Sequence, residues 1–349
     1  MDDLLSGRGS RINPENRFNA QTITFRHIEG IDEPYFTSNK TSYYVESPKE
    51  IISKNNSPDI PFDYSINPYQ GCEHGCAYCY ARPSHEYWGF SSGLDFESKI
   101  IIKPDAPGLL RKVFLSRSWK PSLITLSGNT DCYQPVERKL KITRNLLKVF
   151  AEFRNPVSII SKNALILRDL DILSDLAADN LVRVFFSLTT LNEELRQKLE
   201  PRTAAAAKKL AVIGKLSQKG VPVGVMAGPI IPGLNLQEIP EILRRSSEQG
   251  AITAGYSIIR LNGSISRIFE EWMQRNYPDR FRKIWSQISA LHHGKVSDSV
   301  WGRRMKGEGN YAETIRFIFN RSKQKYFKDR DWPPLDFTKF RQGGNYNLF

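Results

Sequence analysis

Residues 71–80 read Gly71-Cys72-Glu73-His74-Gly75-Cys76-Ala77-Tyr78-Cys79-Tyr80, and they contain three of the four cysteines in the chain. The Cys-x3-Cys-x2-Cys spacing is poor for a disulfide framework but good for metal ligands. Three thiolates are one fewer than a [4Fe-4S] cubane usually has, so one iron would stay open to a substrate or cofactor. The spacing therefore predicts an iron–sulfur cluster with Cys72, Cys76 and Cys79 as its protein ligands.

The same cysteines could instead form a zinc knuckle, with His74 or His85 as the fourth ligand. Zinc sites usually pair their ligands as two separated clusters, and the sequence has no second cluster downstream. We therefore favour the iron–sulfur interpretation. The aromatic rings of Tyr78 and Tyr80 would then help to shield the cluster from water.

Short runs of β-branched residues alternate with helical patterns on the C-terminal side of the cysteines. Strands are expected near residues 122–127, 157–161, 182–187, 221–226 and 251–259, and a weaker one at residues 64–68 would lead into the cysteines. Between two of them, apolar residues repeat at helical spacing, namely Ile142, Leu146, Val149 and Phe153. This alternation predicts an α/β fold with a parallel barrel or partial barrel. A doubly wound open sheet is the alternative, because alternation alone does not decide closure.

The regions that flank this core differ from it in composition. Residues 1–60 are polar and irregular, which predicts an extended N-terminal arm with little regular structure. Residues 61–275 form the predicted core. Residues 276–349 break the alternation and predict a C-terminal helical extension and tail, with helices near residues 277–292 and from about residue 311.

The sequence contains no apolar run of about 18 residues that could span a bilayer. The first residues lack the apolar core of a signal peptide. The 349 residues are enough to bury a sizeable core. We therefore expect a soluble cytoplasmic protein in a reducing compartment, with no membrane partner.

The cysteine spacing, with the aromatic Tyr78 just before the last cysteine, resembles the signature of the radical S-adenosylmethionine (SAM) superfamily. Later segments resemble, in the same order, those of spore photoproduct lyase and its relatives: Thr130-Asp131, Lys162, Ser187 and Glu200-Pro201-Arg202-Thr203. The likeness covers roughly residues 65–265. It implies a partial (β/α)6 TIM-type barrel.

The resemblance also implies two cofactors, a [4Fe-4S] cluster and SAM, whose amino and carboxylate groups would chelate the open iron. One electron would cleave SAM into methionine and a 5'-deoxyadenosyl radical, which abstracts a hydrogen atom from the substrate. The family pattern assigns the cofactor-binding residues: Tyr78 beside the cofactor, Thr130 and Asp131 at its amino group, Lys162 at its carboxylate and Ser187 at its ribose. These residues fall at the C-terminal ends of predicted strands, where barrel chemistry gathers.

Each assignment has a structural alternative. Asp131 could instead cap the helix that contains Glu137, and Ser187 could end a strand without binding anything. Lys162 could be a surface lysine at a strand end.

The hydrogen donor of the lyase is missing from the matching position. In the lyase a cysteine just before the Thr-Ser-Asp-type segment returns a hydrogen atom to the product radical, and the corresponding residue here is Gly128. Cys132 is a candidate to replace it, although it could equally be buried as a small apolar residue. Tyr133 and Tyr80 are candidates for relaying a radical, and packing at the barrel mouth is their alternative.

The formal net charge of +13 predicts attraction to polyanions. Residues 301–307 and 321–328 interleave basic and aromatic side chains, which suits phosphate contacts and base stacking. A base attacked by a buried radical must leave its duplex. We therefore expect a nucleic-acid substrate, DNA rather than RNA, in lyase-like lesion repair or processing. The alternatives are radical modification of RNA or protein, and a non-catalytic iron–sulfur or zinc module that binds nucleic acid.

Two protein partners are also expected. The resemblance implies a reducing electron donor such as flavodoxin or ferredoxin. The last five residues, Asn345-Tyr346-Asn347-Leu348-Phe349, resemble a short peptide by which bacterial DNA-repair proteins dock on the sliding clamp. Such a tail suits insertion into a groove, although it could also pack on its own domain.

Overall fold

The structure, a computed structural model, describes residues 7–18 and 40–343. The described part contains ten strands: β1 (Ser42–Val45), β2 (Ile52–Lys54), β3 (Tyr64–Ile66), β4 (Tyr69–Gln70), β5 (Lys99–Ile102), β6 (Ile124–Leu126), β7 (Val157–Ser161), β8 (Val182–Ser187), β9 (Val223–Ile230) and β10 (Thr253–Ile258). The same ranges contain eleven α-helices: α1 (Leu94–Ser98), α2 (Ala106–Leu115), α3 (Glu137–Leu140), α4 (Ile142–Phe153), α5 (Leu170–Ala178), α6 (Glu193–Leu199), α7 (Ala206–Gln218), α8 (Ile239–Glu248), α9 (Ile265–Asn276), α10 (Phe281–Ala290) and α11 (Asn310–Tyr326).

Six parallel strands form the core sheet in chain order, β3–β6–β7–β8–β9–β10, and β2 lies antiparallel on the outer edge of β3. Each crossover between neighbouring strands contains at least one α-helix. A doubly wound sheet reverses its strand order at a switch point, whereas this order runs in one direction. The predicted partial (β/α)6 barrel is confirmed, and the open-sheet alternative is wrong.

The strands form where the sequence places β-branched and aromatic residues. In β7 and β8, Ile159 pairs with Val184 and both are fully buried, as in parallel strands covered by helices. The four residues at helical spacing, from Ile142 to Phe153, lie on α4 and are all buried. β9 runs to Ile230, beyond its predicted end at residue 226, because Ile230 still pairs with Ile258 of β10.

The described residues of the first 60, namely 7–18 and 40–60, contain two short strands that the sequence did not predict. β1 pairs in parallel with β5, and β2 pairs with β3. All four residues of β1 are exposed, so no alternation of apolar residues marked it as a strand. β5 also pairs with β4, which leads directly into Gly71 and the cysteines. The domain boundaries at residues 60 and 275 stay predictions.

The C-terminal region covers two parts of the barrel. α9 and α10 join a second apolar cluster that includes Cys76 and Tyr78 of the cysteine loop. α11 packs on the last strand, where the rings of Phe319 and Tyr256 lie 4.5 Å apart. Among the described residues, no helix combines the length and the apolar character that a bilayer span requires.

The loop of residues 292–308 spans the open side of the barrel. At one edge, the amide of Ile258 in β10 donates a hydrogen bond to the carbonyl of Met305 (3.1 Å). At the other edge, Asp59 in the β2–β3 turn accepts hydrogen bonds from the amide of Gly302 and the guanidinium of Arg304, each at 2.6 Å. The basic segment 301–307 is therefore held between the two edges of the sheet.

Candidate active site

The cysteine loop is held in a tight curve by its glycines and by backbone hydrogen bonds. Gly71 has a φ of +75°, and a Cβ there would lie 3.0 Å from the carbonyl oxygen of Phe96. Gly75 has a φ of +66°, and a Cβ there would lie 2.6 Å from a carboxylate oxygen of Glu97. The Ala77 amide donates to the carbonyl of Leu199 at 3.0 Å. Glycine is thus required at both positions.

The loop lines a cavity at the C-terminal ends of β6, β7 and β8. The cavity and its open mouth contain about 580 Å³ that no protein atom occupies. Its walls are formed by the three cysteines, Cys72, Cys76 and Cys79, and by His74, Tyr78, Tyr80, Ser127, Asn129, Thr130, Asp131, Ile160, Ser161, Lys162 and Ser187. The structure therefore gathers all three predicted cluster ligands and all five predicted cofactor-binding residues around one space.

Asp131 connects the ends of β6 and β7. Its carboxylate accepts hydrogen bonds from the hydroxyl of Ser161 (2.9 Å) and the amide of Lys162 (2.8 Å). Asp131 does not cap α3, whose N-cap is Val136 without a side-chain bond. Thr130 donates its hydroxyl to the carbonyl of Tyr69 at 2.5 Å. Both side chains are thus fixed by neighbouring strands before any cofactor binds.

Lys162 and Glu200 are charged groups that shift each other's pKa. Burial alone would lower the pKa of Lys162, but the negative charge of Glu200, together with Cys76 and Asp131, raises it above the ordinary value. Burial alone would raise the pKa of Glu200, but the ammonium groups of Lys209 and Lys162 outweigh that effect and hold it below the ordinary value. The site therefore keeps a cation at the end of β7, suited to a carboxylate.

The family model of the radical SAM superfamily matches residues 66–245, more than half of the chain. The chain belongs to the radical SAM superfamily. Radical SAM proteins are enzymes that use a [4Fe-4S] cluster and SAM, so both cofactors belong to this protein. When bound, they supply the radical that abstracts a hydrogen atom from the substrate.

Similar sequences occur in Mycobacterium tuberculosis and Methanocaldococcus jannaschii. The chain is 31% identical to the uncharacterised protein Rv2578c of Mycobacterium tuberculosis, over 66% of this chain and 69% of the relative. It is 28% identical to the uncharacterised protein MJ0683 of Methanocaldococcus jannaschii, over 63% of this chain and 79% of the relative.

Solved structures of spore photoproduct lyase share the fold. A complex of the lyase with a dinucleoside spore photoproduct aligns with a TM-score of 0.59 and 15% identity, over 82% of this chain and 80% of that chain. A double mutant of the lyase with bound AdoMet and the dinucleoside photoproduct aligns with a TM-score of 0.58 and 16% identity, over the same shares. At this identity the likeness establishes the fold alone.

The donor set of this radical SAM site fits an iron–sulfur cluster. None of the four cysteines is in a disulfide. Burial raises the pKa of Cys72, Cys76 and Cys79, so a metal-bearing group in the cavity is needed to hold them as thiolates. Within the described ranges, no three His, Cys, Asp or Glu side chains converge as ligands of a single ion.

The two histidines of the zinc alternative lie in different surroundings. His85 is fully buried between the rings of Phe90 and Phe96 and does not line the cavity. His74 lines the cavity, but its Nε2 lies 3.0 Å from the side-chain amide of Asn163.

Two of the three predicted catalytic residues do not reach the cavity of this radical SAM enzyme. Cys132 and Tyr133 are fully buried in the main apolar core. The chain turns inward after Asp131, and the Tyr133 hydroxyl donates to Asp169 at 3.1 Å. For Cys132, burial as a small apolar residue describes the structure, and neither side chain lines the cavity.

Tyr80, the third of these residues, lines the mouth of the cavity and is 49% exposed. Its hydroxyl donates to the carbonyl of Gly128 at 2.7 Å. A Cβ on Gly128 would lie 2.8 Å from the Cβ of Ser65, so the position matching the lyase cysteine has no room for a side chain. Tyr80 therefore occupies the space next to that position.

Sequence reasoning missed several residues of the site. The guanidinium of Arg260 lies 5.7 Å from the ring centre of Tyr80. Its position two residues after β10 was a usable signal, since barrel chemistry gathers at strand ends. Ser127, just after β6, has a φ of +71°, a conformation that is uncommon for non-glycine residues. The buried ion pair of Arg82 and Glu97, which supports the cysteine loop, has no local sequence signal.

Proposed function

We propose that this radical SAM enzyme abstracts a hydrogen atom from a nucleic acid, with a base lesion in DNA as the first substrate class. The observation that carries the proposal is a groove of basic and exposed aromatic side chains beside the mouth of the cavity. Two of the lyase structures that share the fold, those described above, contain a dinucleoside spore photoproduct, which supports DNA over RNA. Gly128 separates this protein from the lyase's own chemistry.

The groove begins near the cavity mouth. Arg260 lies over Tyr80, and the positive charge of Arg304 lies close enough to Arg260 to lower its pKa together with burial. Beyond Arg304, the loop of residues 300–308 and Arg316 of α11 line one depression. A second depression shares Arg316 and continues along α11. We define the groove by Trp301, Arg303, Lys306, Arg316, Phe317 and Arg321.

The groove combines free positive charge with stacking surfaces. Lys306 and Arg321 have no carboxylate within ion-pair distance in the described part of the chain. Arg303 is paired with Asp298. The side chains of Trp301 and Phe317 are 61% and 64% exposed. Unpaired cations with exposed rings are the features by which proteins bind single-stranded nucleic acid.

Tyr80 is the residue that we propose as the radical relay or final hydrogen donor. It lines the cavity, reaches the carbonyl of Gly128 and lies under Arg260. A base extruded into the cavity would pass between this ring and the groove. We likewise propose that Tyr78, Thr130, Asp131, Lys162 and Ser187 bind SAM as the family pattern implies.

The first experiment tests the chemistry. The protein is purified without oxygen, its cluster is reconstituted and reduced with dithionite, and 5'-deoxyadenosine and methionine are measured with damaged oligonucleotides present. We expect product from the wild type and none from Cys76→Ala. A fully loaded, reducible cluster that yields no 5'-deoxyadenosine would favour the non-catalytic binding module.

The second experiment tests the substrate class. Binding of labelled single-stranded DNA and RNA is measured for the wild type, Lys306→Glu and Lys219→Glu. Lys219 is exposed between α7 and β9, at the end of the barrel away from the cavity, and lines neither depression, so it controls for the change in net charge. We expect Lys306→Glu to weaken binding about tenfold and to lower its salt dependence, with less than a twofold change for Lys219→Glu. Equal effects of both variants would contradict the groove, and tighter binding of RNA would make RNA the substrate.

We also propose three features that rest on the sequence. Flavodoxin or ferredoxin would supply the electron, and the free cysteines suit a cytoplasmic location. The clamp-docking peptide, residues 345–349, lies outside the described residues. Deleting those five residues should abolish binding to a purified sliding clamp and leave 5'-deoxyadenosine formation unchanged.

A further inference from the structure

The N-terminal residues 7–13, here called the strap, lie against the cysteine loop. The amides of Gly9 and Ser10 donate to the two carboxylate oxygens of Glu97, at 3.0 Å and 2.8 Å. The guanidinium of Arg8 donates to the backbone carbonyl of Glu97 at 2.5 Å. Arg8, Gly9 and Ser10 are all buried. One glutamate therefore anchors three successive residues of the strap.

The strap and the loop approach each other too closely for a side chain. A Cβ on Gly9 would lie 1.6 Å from the carbonyl oxygen of Gly75, which stands between two of the cluster cysteines. The contact continues along the strap: a Cβ on Gly93 would lie 1.9 Å from the carbonyl oxygen of Ile12, which accepts the amide of Leu94 at 3.1 Å. Backbone packs on backbone at both points, so the fit is specific.

Glu97 also connects the strap to a cluster ligand. Its carboxylate pairs with the guanidinium of Arg82 at 2.5 Å, and both side chains are fully buried. Arg82 in turn donates to the carbonyl of Cys76 at 3.0 Å and to the carbonyl of Gly93 at 2.9 Å. A path of hydrogen bonds thus runs from the amide of Ser10 through the side chains of Glu97 and Arg82 to the backbone carbonyl of Cys76.

Undocking the strap would leave this path incomplete. The Glu97 carboxylate would keep its ion pair with Arg82 but lose two amide donors, and the loss of hydrogen bonds to a buried charged group is costly. The loop would also lose the surface that covers Gly75. The bent conformation that holds three cysteines around one cavity therefore depends on residues far away in the sequence.

We propose that the strap positions the [4Fe-4S] cluster: its docking through Gly9, Ser10 and Glu97 fixes the cysteine loop in the conformation that retains the cluster. These three are positioning residues, since none of them lines the cavity. The proposal depends on the cluster and not on the identity of the substrate.

The first test compares cluster retention in full-length variants. After anaerobic reconstitution, the rate of iron loss to a chelator is measured without SAM for the wild type, Gly9→Ala and Glu97→Gln. We expect iron loss at least about tenfold faster in both variants. Gly108→Ala in α2 is the control: it is the same substitution at a glycine without a positive φ, and no atom lies within 4 Å of the added Cβ. Gly108→Ala should stay within about twofold of the wild type.

The second test needs no variant and therefore remains decisive if Gly9→Ala fails to fold. Because coupling between two sites is reciprocal, cluster binding must stabilise the docked strap. Hydrogen–deuterium exchange is measured on the wild type with and without the cluster. We expect the amides of residues 8–11 to exchange at least about tenfold more slowly with the cluster. Unchanged exchange there, or iron loss in Gly9→Ala at the wild-type rate, would overturn the proposal.

Discussion

The phenol of Tyr78 donates a hydrogen bond to the buried carboxylate of Glu200, 122 residues further along the chain. Tyr78 stands between two cluster cysteines, and Glu200 directly follows α6. The same carboxylate accepts hydrogen bonds from the ammonium group of Lys209 at 2.8 Å and from the hydroxyl of Thr189 at 2.6 Å. Glu200 therefore ties the cysteine loop to the connection between β8 and β9.

Replacing Glu200 with glutamine should destabilise the protein strongly. Lys209 is 1% exposed, and the substitution would leave its charge buried without a counter-charge. Breaking one side of such a pair costs about 3–5 kcal/mol. Urea unfolding of the cluster-free protein measures the loss. Glu194→Gln is the control, because the exposed pair of Glu194 and Lys198 contributes under about 1 kcal/mol. Similar losses of unfolding free energy in the two variants would show that the buried pair contributes no more to stability than the exposed pair.

The contribution of Glu200 should depend on pH in one direction. Its pKa in the folded protein lies below the ordinary value of 4.5, so the folded state binds this proton less readily than the unfolded state. The stabilisation is then complete above about pH 4.5 and declines as the pH falls further. Urea unfolding at several pH values gives the free energy of unfolding of the wild type and of Glu200→Gln. The difference between the two should be constant down to about pH 4.5 and should become smaller below it. A difference that grows on acidification would contradict the charge assignment.

The sequence predicted the barrel and the cavity walls because both depend on short-range patterns. β7 and β8 are apolar, β-branched runs, and in a parallel barrel their C-terminal ends must meet. Lys162 follows β7 and Ser187 ends β8, so their convergence on one cavity follows from the topology. The cysteine spacing predicted the cluster ligands without any long-range information.

The parts that sequence could not predict depend on contacts between distant residues or on the direction of one turn. Gly9 and Glu97 are 88 residues apart, and nothing in the polar N-terminal segment marks its amides as buried donors. Cys132 immediately follows Asp131 of the cavity wall, yet its side chain enters the core. Neighbouring residues of this loop therefore point to different places, one to the cavity and the next to the core. Residue type alone does not predict which of the two a side chain enters.

Introducing a cysteine at Gly128 should not restore a lyase-type hydrogen donor. A Cβ at this position would lie 2.8 Å from the Cβ of Ser65 in β3, so Gly128→Cys and Gly128→Ala should each destabilise the protein by about 1–3 kcal/mol. Urea unfolding measures both. In a Ser65→Gly background the cost of Gly128→Ala should shrink, because the clashing atom is gone.

The control for this series is Gly108→Ala in α2, where no atom lies within 4 Å of the added Cβ. That substitution should be neutral or stabilise the helix by about 0.5–1 kcal/mol. If Gly128→Ala behaves like Gly108→Ala, then the loop after β6 has room for a side chain and the lyase chemistry returns to consideration.

Replacing Lys162 with methionine should weaken SAM binding without removing the cluster. Lys162 is the cation that we assign to the cofactor's carboxylate, and a hydrogen bond to a charged group contributes about 1.5–3 kcal/mol, or about 10- to 100-fold in affinity. Equilibrium binding of SAM to the reconstituted, oxidised protein measures the change. Iron content should equal that of the wild type, since Lys162 is not a ligand. Lys219→Met, at the end of the barrel away from the cavity, serves as the control, and equal SAM affinity in all three proteins would rule out the assignment.

Cys132→Ala and Cys79→Ala should have completely different effects on the cluster and on activity, although both residues are among the four cysteines of the chain. Cys79 lines the cavity, so its loss should remove the cluster, seen as lost iron and sulfide, and should abolish 5'-deoxyadenosine formation. Cys132 is buried in the core, so its loss should cost about 1 kcal/mol of stability through a small cavity and leave the rate of 5'-deoxyadenosine formation within about twofold of the wild type. Loss of substrate turnover in Cys132→Ala with intact SAM cleavage would return Cys132 to the list of hydrogen donors, because that pattern requires a role after the radical forms.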